Sequence, residues 1–347
     1  MSGHDIVVIG ASAGGVEALM AVVRELPRDL SAALFVVLHV PPDRESMLPR
    51  ILSHAGPLSA IHPEDGDAIE HGCIYVALPD HHLLVERGRV RVMRGPRENR
   101  YRPAVDPLFR SAARAYGSRV VGVVFSGMLD DGAAGLVAIH ARGGIGIVQD
   151  PNDALFPGMP TRAMRDDHPQ YVVPATEIGL LLTRLVHEPT RGVQEKKDAA
   201  PEAMEMETEL VELDMGAISA PDRPGKPSVF GCPECGGVLW EMEEGPLLRY
   251  RCRVGHAYSA DSLLSEQSLH LEAALWAALR GLEEKAALVH RLADRARDSG
   301  HEMLAARYAE QERVSQQHAT AIRELILRGD RAPTDTDAAR QQESADG

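Results

Sequence analysis

A chain of 347 residues with 44% hydrophobic and 25% charged residues has ordinary soluble composition and more length than one domain needs. Its formal net charge of −14 excludes general nucleic-acid binding, which needs a cationic surface to displace counterions. No apolar run reaches the roughly 18 residues of a membrane span, and Met1–Ile6 lacks a signal peptide's basic and apolar regions, so a cytoplasmic protein without membrane insertion is expected.

Asp5–Ile9 reads as a continuous apolar strand, followed by a Gly-rich turn and a helix over Val16–Leu26. Ala33–Leu38 and Cys73–Ala77 are further strands, with Cys73 itself expected as a small buried hydrophobe. Leu83–Val92, split by Arg87-Gly88, reads as a hairpin. Helical spacing follows over Asp106–Tyr116, a buried strand over Arg119–Phe125 and a helix over Gly132–Arg142. Gly146–Val148 and Tyr171–Val173 supply late strands. Apolar strands alternating with helices predict an α/β fold with a doubly wound, mostly parallel sheet.

Beyond this the pattern dissolves into Pro, Glu, Lys and Ala, read as a flexible acidic linker. A compact Cys/His module and two helical stretches, Asp261–Arg297 and Glu302–Arg328, come next. In the first stretch Leu275, Leu279, Leu282, Ala286 and Val289 share one face, and in the second Leu304, Tyr308, Gln311 and Ser315 do so more weakly. An antiparallel helical hairpin is expected. The resulting division is 1–186, an α/β catalytic domain; 187–228, linker; 229–260, Cys/His module; 261–330, hairpin; and 331–347, a disordered tail.

Gly10-Ala11-Ser12-Ala13-Gly14-Gly15 follows a buried strand and opens a helix, the setting of a nucleophile elbow. By itself the loop reads equally well as a phosphate loop of a dinucleotide-binding fold. The second strand separates the two, because it ends in Leu38-His39 and not in the acid that holds a ribose. Ser12 and His39 both stand at the carboxyl ends of strands, where a serine and a histidine together make a nucleophile and its base. The strand Arg119–Phe125 delivers Asp130 and Asp131 to the same rim, where a carboxylate can orient the imidazole. Asp106, Asp150 and Asp153 compete for that role, and spacing alone leaves the choice open.

Residues 5–185 resemble the catalytic domain of the chemotaxis receptor methylesterases, the CheB family. The likeness rests on IGASAGG at Ile9–Gly15, LHVPP at Leu38–Pro42, YVALPDHHLLV at Tyr75–Val85 and ENRYRPAVDPLFRSAA at Glu98–Ala113. It continues with SGMLDDGAAGL at Ser126–Leu136 and QDPNDALFPGMP at Gln149–Pro160. The resemblance implies a catalytic triad of Ser12, His39 and Asp131, with Asp130 a solvent-facing neighbour. It implies hydrolysis of glutamyl methyl esters on chemoreceptors or similar methylated signalling proteins, without a catalytic cofactor; some members also deamidate receptor glutamines. The Met128 N–H is the implied oxyanion donor, with that of Ala13 added from its place at the helix start.

This chain departs from the family at Ala13, where many relatives carry threonine, and at Leu129, where a glycine is common. Relatives usually also carry an N-terminal phosphoacceptor domain, whereas here the first strand begins almost at Met1, so control independent of such a domain is expected. Two other readings stand beside the esterase: a dinucleotide-dependent enzyme, and a signalling scaffold that keeps the triad without turnover.

Cys232-Pro-Glu-Cys235 followed by Cys252 and His256 offers three thiolates and an imidazole, a full tetrahedral shell for structural zinc with no open position for catalysis. Val238–Trp240 and Leu248–Arg251 read as ribbon strands. The acids Glu241, Glu243 and Glu244 count against a nucleic-acid role, so a protein-docking or regulatory module is expected.

Overall fold

The computed structural model describes residues 3–190, 225–244 and 247–328. Most of the expected linker and the whole expected tail lie outside them. The described residues form two compact units, divided after Leu264.

The first unit is organised by seven strands: β1 (Ile6–Ala11), β2 (Ala33–Leu38), β3 (Ser59–Ile61), β4 (Cys73–Val76), β7 (Val120–Val124), β8 (Ile145–Gln149) and β9 (Tyr171–Val173). They pair in the order β3-β4-β2-β1-β7-β8-β9, and every pairing is parallel. Parallel strands need crossovers, and helices supply them on both faces. One face holds α1 (Gly15–Glu25), α2 (Leu48–Ala55) and α6 (Ala175–His187). The other holds α3 (Val105–Tyr116), α4 (Ala133–Ala141), α5 (Gly158–Asp167) and the hairpin β5 (His82–Glu86)–β6 (Arg89–Met93). Alternation along β1 explains the two cores: Val7 and Ile9 enter one, Ile6 and Val8 the other. A strand buried on both sides must be apolar throughout, which is why IVVIGA carries no period-two pattern.

The expected doubly wound α/β architecture is present. Strand β3 and helices α2, α5 and α6 were not among the expected elements. The first is three residues long, α2 is short and α5 polar enough to read as connections, whereas α6 buries Ile178, Leu182 and Leu185 on one face, a stripe that was legible in the sequence. Cys73 is half-buried against the second core and not enclosed by it.

Residues 225–264 belong to the same unit as the sheet. They form an antiparallel ribbon of β10 (Lys226–Gly231), β11 (Val238–Glu244), β12 (Leu247–Cys252) and β13 (Ala257–Ser259). Helix α7 spans Ala260–Asp298 and α8 spans Glu302–Arg328. In the second unit ion pairs Arg323–Glu283 and His290–Glu312 give the two helices opposed directions. Leu279, Ala286 and Val289 are buried as expected, continued by Ala293 and Ala296. On α8 the buried positions are Ala305, Ser315 and Ala319, while Leu304 and Gln311 face solvent. The apolar signal of that helix is carried by alanines, which is why its large residues misplaced the stripe. Among the described residues no helix is long and apolar enough to cross a membrane.

Candidate active site

The strand order reverses at β1, with β2 on one side and β7 on the other, and open parallel sheets place their ligands at the carboxyl end of such a switch. In-register pairing sets Ala11 opposite Leu38, so the next residues, Ser12 and His39, emerge side by side. The His39 N–H donates to the Ala11 carbonyl at 3.1 Å and the Ser12 N–H to the Ser126 carbonyl at 2.9 Å. Two glycines make the approach possible. Gly14 has φ +72°, and a Cβ there would fall 2.9 Å from both Leu155 and the Ser126 hydroxyl. At Gly127 a Cβ would fall 2.8 Å from the Ser12 Cβ and 2.1 Å from the Met159 sulfur.

Ser12, Ala13 and His39 line one open cleft of about 720 Å³, with Val40, Pro41, Pro42 and the arginines 97, 100 and 102 on its other walls. His39 is hydrogen-bonded through Nε2 to Asp131 Oδ2 at 2.7 Å, and its side chain is 3% exposed. A carboxylate only accepts, so Nε2 carries the proton and Nδ1 is the basic nitrogen. Among the described residues that buried Nδ1 has no hydrogen-bond partner, and no hydrogen bond joins His39 to Ser12. Free enzymes commonly leave this contact open until substrate binds.

Asp131 is buried and also accepts the N–H groups of Val105 (2.7 Å) and Asp106 (3.2 Å) and the Asn99 amide (3.1 Å). Burial opposes its charge, but these bonds and the one to His39 outweigh it and hold the carboxyl below the usual range. Asp106 sits beside it, buried, and is pushed up to about 7 first by desolvation and then by the Asp131 charge. The pair therefore keeps its negative charge on Asp131. Asp150 and Asp153 bond instead to Asn152, Gln149 and the Ala175 N–H, on the loop after β8.

Asp130 corrects an expectation. It is 8% exposed and not solvent-facing, because Ser259 covers it and donates to its Oδ1 at 2.8 Å. Desolvation raises its carboxyl to about 6. Met128 is 54% exposed on the loop after β7. Neither its N–H nor that of Ala13 has an acceptor among the described residues. Leu129 keeps the left-handed backbone, φ 64°, that its glycine counterpart adopts freely, at a cost of about 1–2 kcal/mol. Leu129→Gly is accordingly expected to be neutral or stabilising, within about 1 kcal/mol, although it deletes a half-buried side chain. Denaturant unfolding checks this; a loss above about 2 kcal/mol would show that packing, not backbone, decides the position.

Sequence reasoning missed two contacts. Tyr101 stacks on His39, with ring centroids 3.6 Å apart and planes at 7°. Asn99 bridges Asp131 and Asp106, donating to both. Both residues lie in the ENRYRPAVD run, whose density of polar side chains immediately before a helix was the available signal. Beside them Glu98, fully buried, receives Arg110 (2.7 Å) and Arg251 (2.7 Å), with Arg249 at 3.7 Å. Burial opposes the Glu98 charge, but three guanidinium groups hold it well below the usual carboxylate range.

Cys232, Cys235, Cys252 and His256 converge, their ligand atoms all within 4.8 Å of one another. The Cys235 and Cys252 sulfurs are 3.7 Å apart, far beyond the disulfide length of about 2.05 Å, and all three thiols are free. This cluster can hold a metal ion.

The sequence matches the family described as CheB methylesterase over residues 7–182. A protein-glutamate methylesterase/protein-glutamine glutaminase of Pyrococcus abyssi is 38% identical over 184 residues, covering 52% of this chain and 50% of that relative. A protein of the same name from Yersinia pestis is 38% identical over 168 residues, covering 47% of this chain and 48% of its own. The chain thus spans about half the length of these curated relatives. The crystal structure of the Thermotoga maritima CheB methylesterase catalytic domain is 33% identical with a TM-score of 0.51, and it is covered completely by 53% of this chain. The matched segment runs from β1 into α6 and takes in the whole parallel sheet, and the chain belongs to the CheB methylesterase family.

Proposed function

We propose that this chain is a protein-glutamate methylesterase that hydrolyses glutamyl methyl esters on chemoreceptors or similar methylated signalling proteins. The observation that carries the reading is the buried His39–Asp131 hydrogen bond at the sheet rim, beside Ser12 in a shared cleft. Ser12 Oγ attacks the ester carbonyl while His39 Nδ1 takes its proton. The tetrahedral oxyanion accepts from the Met128 and Ala13 N–H groups. Methoxide leaves with the proton from His39, as methanol. Water, deprotonated by the same nitrogen, then cleaves the glutamyl–Ser12 ester and restores the serine. No catalytic cofactor enters.

The relatives' names pair this reaction with glutamine deamidation, which differs only in releasing ammonia, not methanol, as the same acyl-enzyme forms. Methanol release from a methylated receptor segment, ammonia release from its glutamine form, and fluorophosphonate labelling of Ser12 test the assignment together. Absence of both products and of labelling, in a folded protein, would leave the scaffold reading in its place.

The Cys/His cluster is proposed to bind structural zinc. Tetrahedral zinc with sulfur at about 2.3 Å and nitrogen at about 2.0 Å spaces its ligand atoms roughly 3.5–3.8 Å apart. Cys232–His256 at 3.7 Å, Cys252–His256 at 3.5 Å and Cys235–Cys252 at 3.7 Å fit that spacing. His256 presents Nδ1 to the sulfurs and turns Nε2 toward Glu234 at 3.5 Å, the carboxylate support that zinc-bound histidines usually have. Elemental analysis should find one zinc per chain, lost in a Cys232→Ser/Cys235→Ser variant. A metal-free wild type with a native ribbon would refute the site.

A further inference from the structure

We propose that the Cys/His module clamps the turn 97–101 and thereby positions the His39–Asp131 pair, with Asn99 as the positioning residue through which it acts. This inference rests on the esterase reading for its kinetic consequence, while its structural content stands apart from that reading.

The turn touches both members of the pair, Asn99 through its amide to Asp131 and Tyr101 through its ring on His39. The turn is closed by reciprocal backbone bonds between Glu98 and Tyr101, 3.2 and 2.9 Å, and its two central residues, Asn99 and Arg100, carry the positive φ, 49° and 77°, of a tight hairpin turn. Those bonds shape the turn, and the module fixes where it sits. Ala257, in β13, lies beside the turn as a strand would: its N–H donates to the Arg97 carbonyl at 3.2 Å, and its carbonyl accepts the Asn99 N–H at 2.8 Å. Arg251 and Arg249, in β12, reach the fully buried Glu98 carboxylate from the same side.

The Asn99 amide is filled on every side. Its two N–H bonds go to Asp106 at 2.9 Å and Asp131 at 3.1 Å. Its oxygen accepts the Ser259 N–H at 2.9 Å and the Ser262 hydroxyl at 3.2 Å. Reversing the amide would set its oxygen against the Asp131 carboxylate and its nitrogen against the Ser259 N–H, so only one orientation is compatible with both partners. The module, through Ser259, and the first turn of α7 that continues it, through Ser262, therefore supply both contacts to the oxygen of the group that donates to Asp131. Ser259 adds a second contact to the same loop through Asp130. The ribbon is in this sense part of the site's framework, touching none of the reacting atoms.

The test compares full-length Asn99→Ala, Ser259→Ala/Ser262→Ala and a control, Ser228→Ala. In the control the lost hydroxyl bonds only within the ribbon, to the Leu239 carbonyl and the Phe230 N–H. The readouts are the low-field proton resonance of the His39 Nε2–H···Asp131 bond, and kcat and KM on a glutamyl methyl ester peptide. Asn99→Ala should broaden or remove the resonance and lower kcat about tenfold to a hundredfold, as expected for a lost hydrogen bond to a charged group. The double serine variant removes the Ser262 hydroxyl bond to Asn99 and the Ser259 hydroxyl bond to Asp130, while the Ser259 N–H keeps its bond to Asn99. It should shift the resonance and lower kcat about twofold to tenfold, with KM nearly unchanged. The control should match wild type. If Asn99→Ala fails to fold, the double serine variant decides. A double serine variant with wild-type resonance and kcat, or a control with equal losses, would overturn the clamp. A wild type that neither cleaves ester nor labels at Ser12 would overturn the esterase reading alone, because the resonance comparison still decides the clamp.

Discussion

Ser12→Ala is expected to leave the fold intact and to abolish methanol release, with a loss on the order of 10⁴-fold or more. The fold should survive because Ser12 anchors its loop through the backbone N–H, which donates to Ser126, and alanine keeps that bond. The turn also depends on Gly14 and Gly127, which the substitution does not touch. Activity should vanish because Ser12 carries the one aliphatic hydroxyl among the described residues lining the cleft. His39→Ala should be comparably severe. Initial rates on a methylated receptor segment, with circular dichroism as the folding control, check both. Activity within about tenfold of wild type in Ser12→Ala would end the serine-hydrolase reading.

Replacing each of the two adjacent aspartates should separate orientation of the imidazole from mere proximity. Asp131→Asn should cost on the order of 10⁴-fold in kcat, because an amide at that position no longer fixes the tautomer that leaves Nδ1 basic. It also sets a donor among the Val105, Asp106 and Asn99 donors that Asp131 now accepts. Asp130→Asn should retain kcat within about tenfold, since its carboxyl bonds to Ser259 and not to His39. Its signature should appear in stability. The folded-state carboxyl titrates at about 6 against 3.8 for the free group, so the folded protein holds the extra proton. Stability from this group is therefore greatest below pH 4 and falls as pH rises toward 6. Asparagine removes the penalty, keeps an acceptor for Ser259, and should raise stability above pH 6 by about 1–3 kcal/mol relative to wild type. Thermal unfolding of both proteins at pH 4 and pH 7 measures the difference. Equal kinetic losses at the two positions would unseat Asp131 as the orienting acid.

The acid-bearing loop also shows where reading residues in order stops being sufficient. Asp130 and Asp131 are chemically identical neighbours, and nothing in their local pattern separates them. Their distinction comes from what covers each: Asp131 meets the start of α3 and Asn99, whereas Asp130 meets Ser259, nearly 130 residues later in the chain. Tyr101 and Asn99 were illegible for the same reason, since stacking on His39 and bridging to the ribbon are contacts between segments far apart in sequence.

What the sequence determined by itself was local or set by pairing. Continuous apolar strands dictated a sheet buried on both faces. Gly-Ala-Ser-Ala-Gly-Gly at the end of β1 dictated a sharp turn into a helix, and Ser12 and His39 were legible as residues at the carboxyl ends of successive strands, while the register that sets them side by side came from the structure. The Cys-x2-Cys and Cys-x3-His spacings similarly sufficed to bring four ligands together. Only the tertiary structure decided which carboxylate holds the imidazole, which stays buried and protonates near neutrality, and that the ribbon is packed on the turn beneath the His39–Asp131 pair. The physical reason is that charge and hydrogen-bond partnership depend on burial and on distant donors, and a one-dimensional pattern records neither.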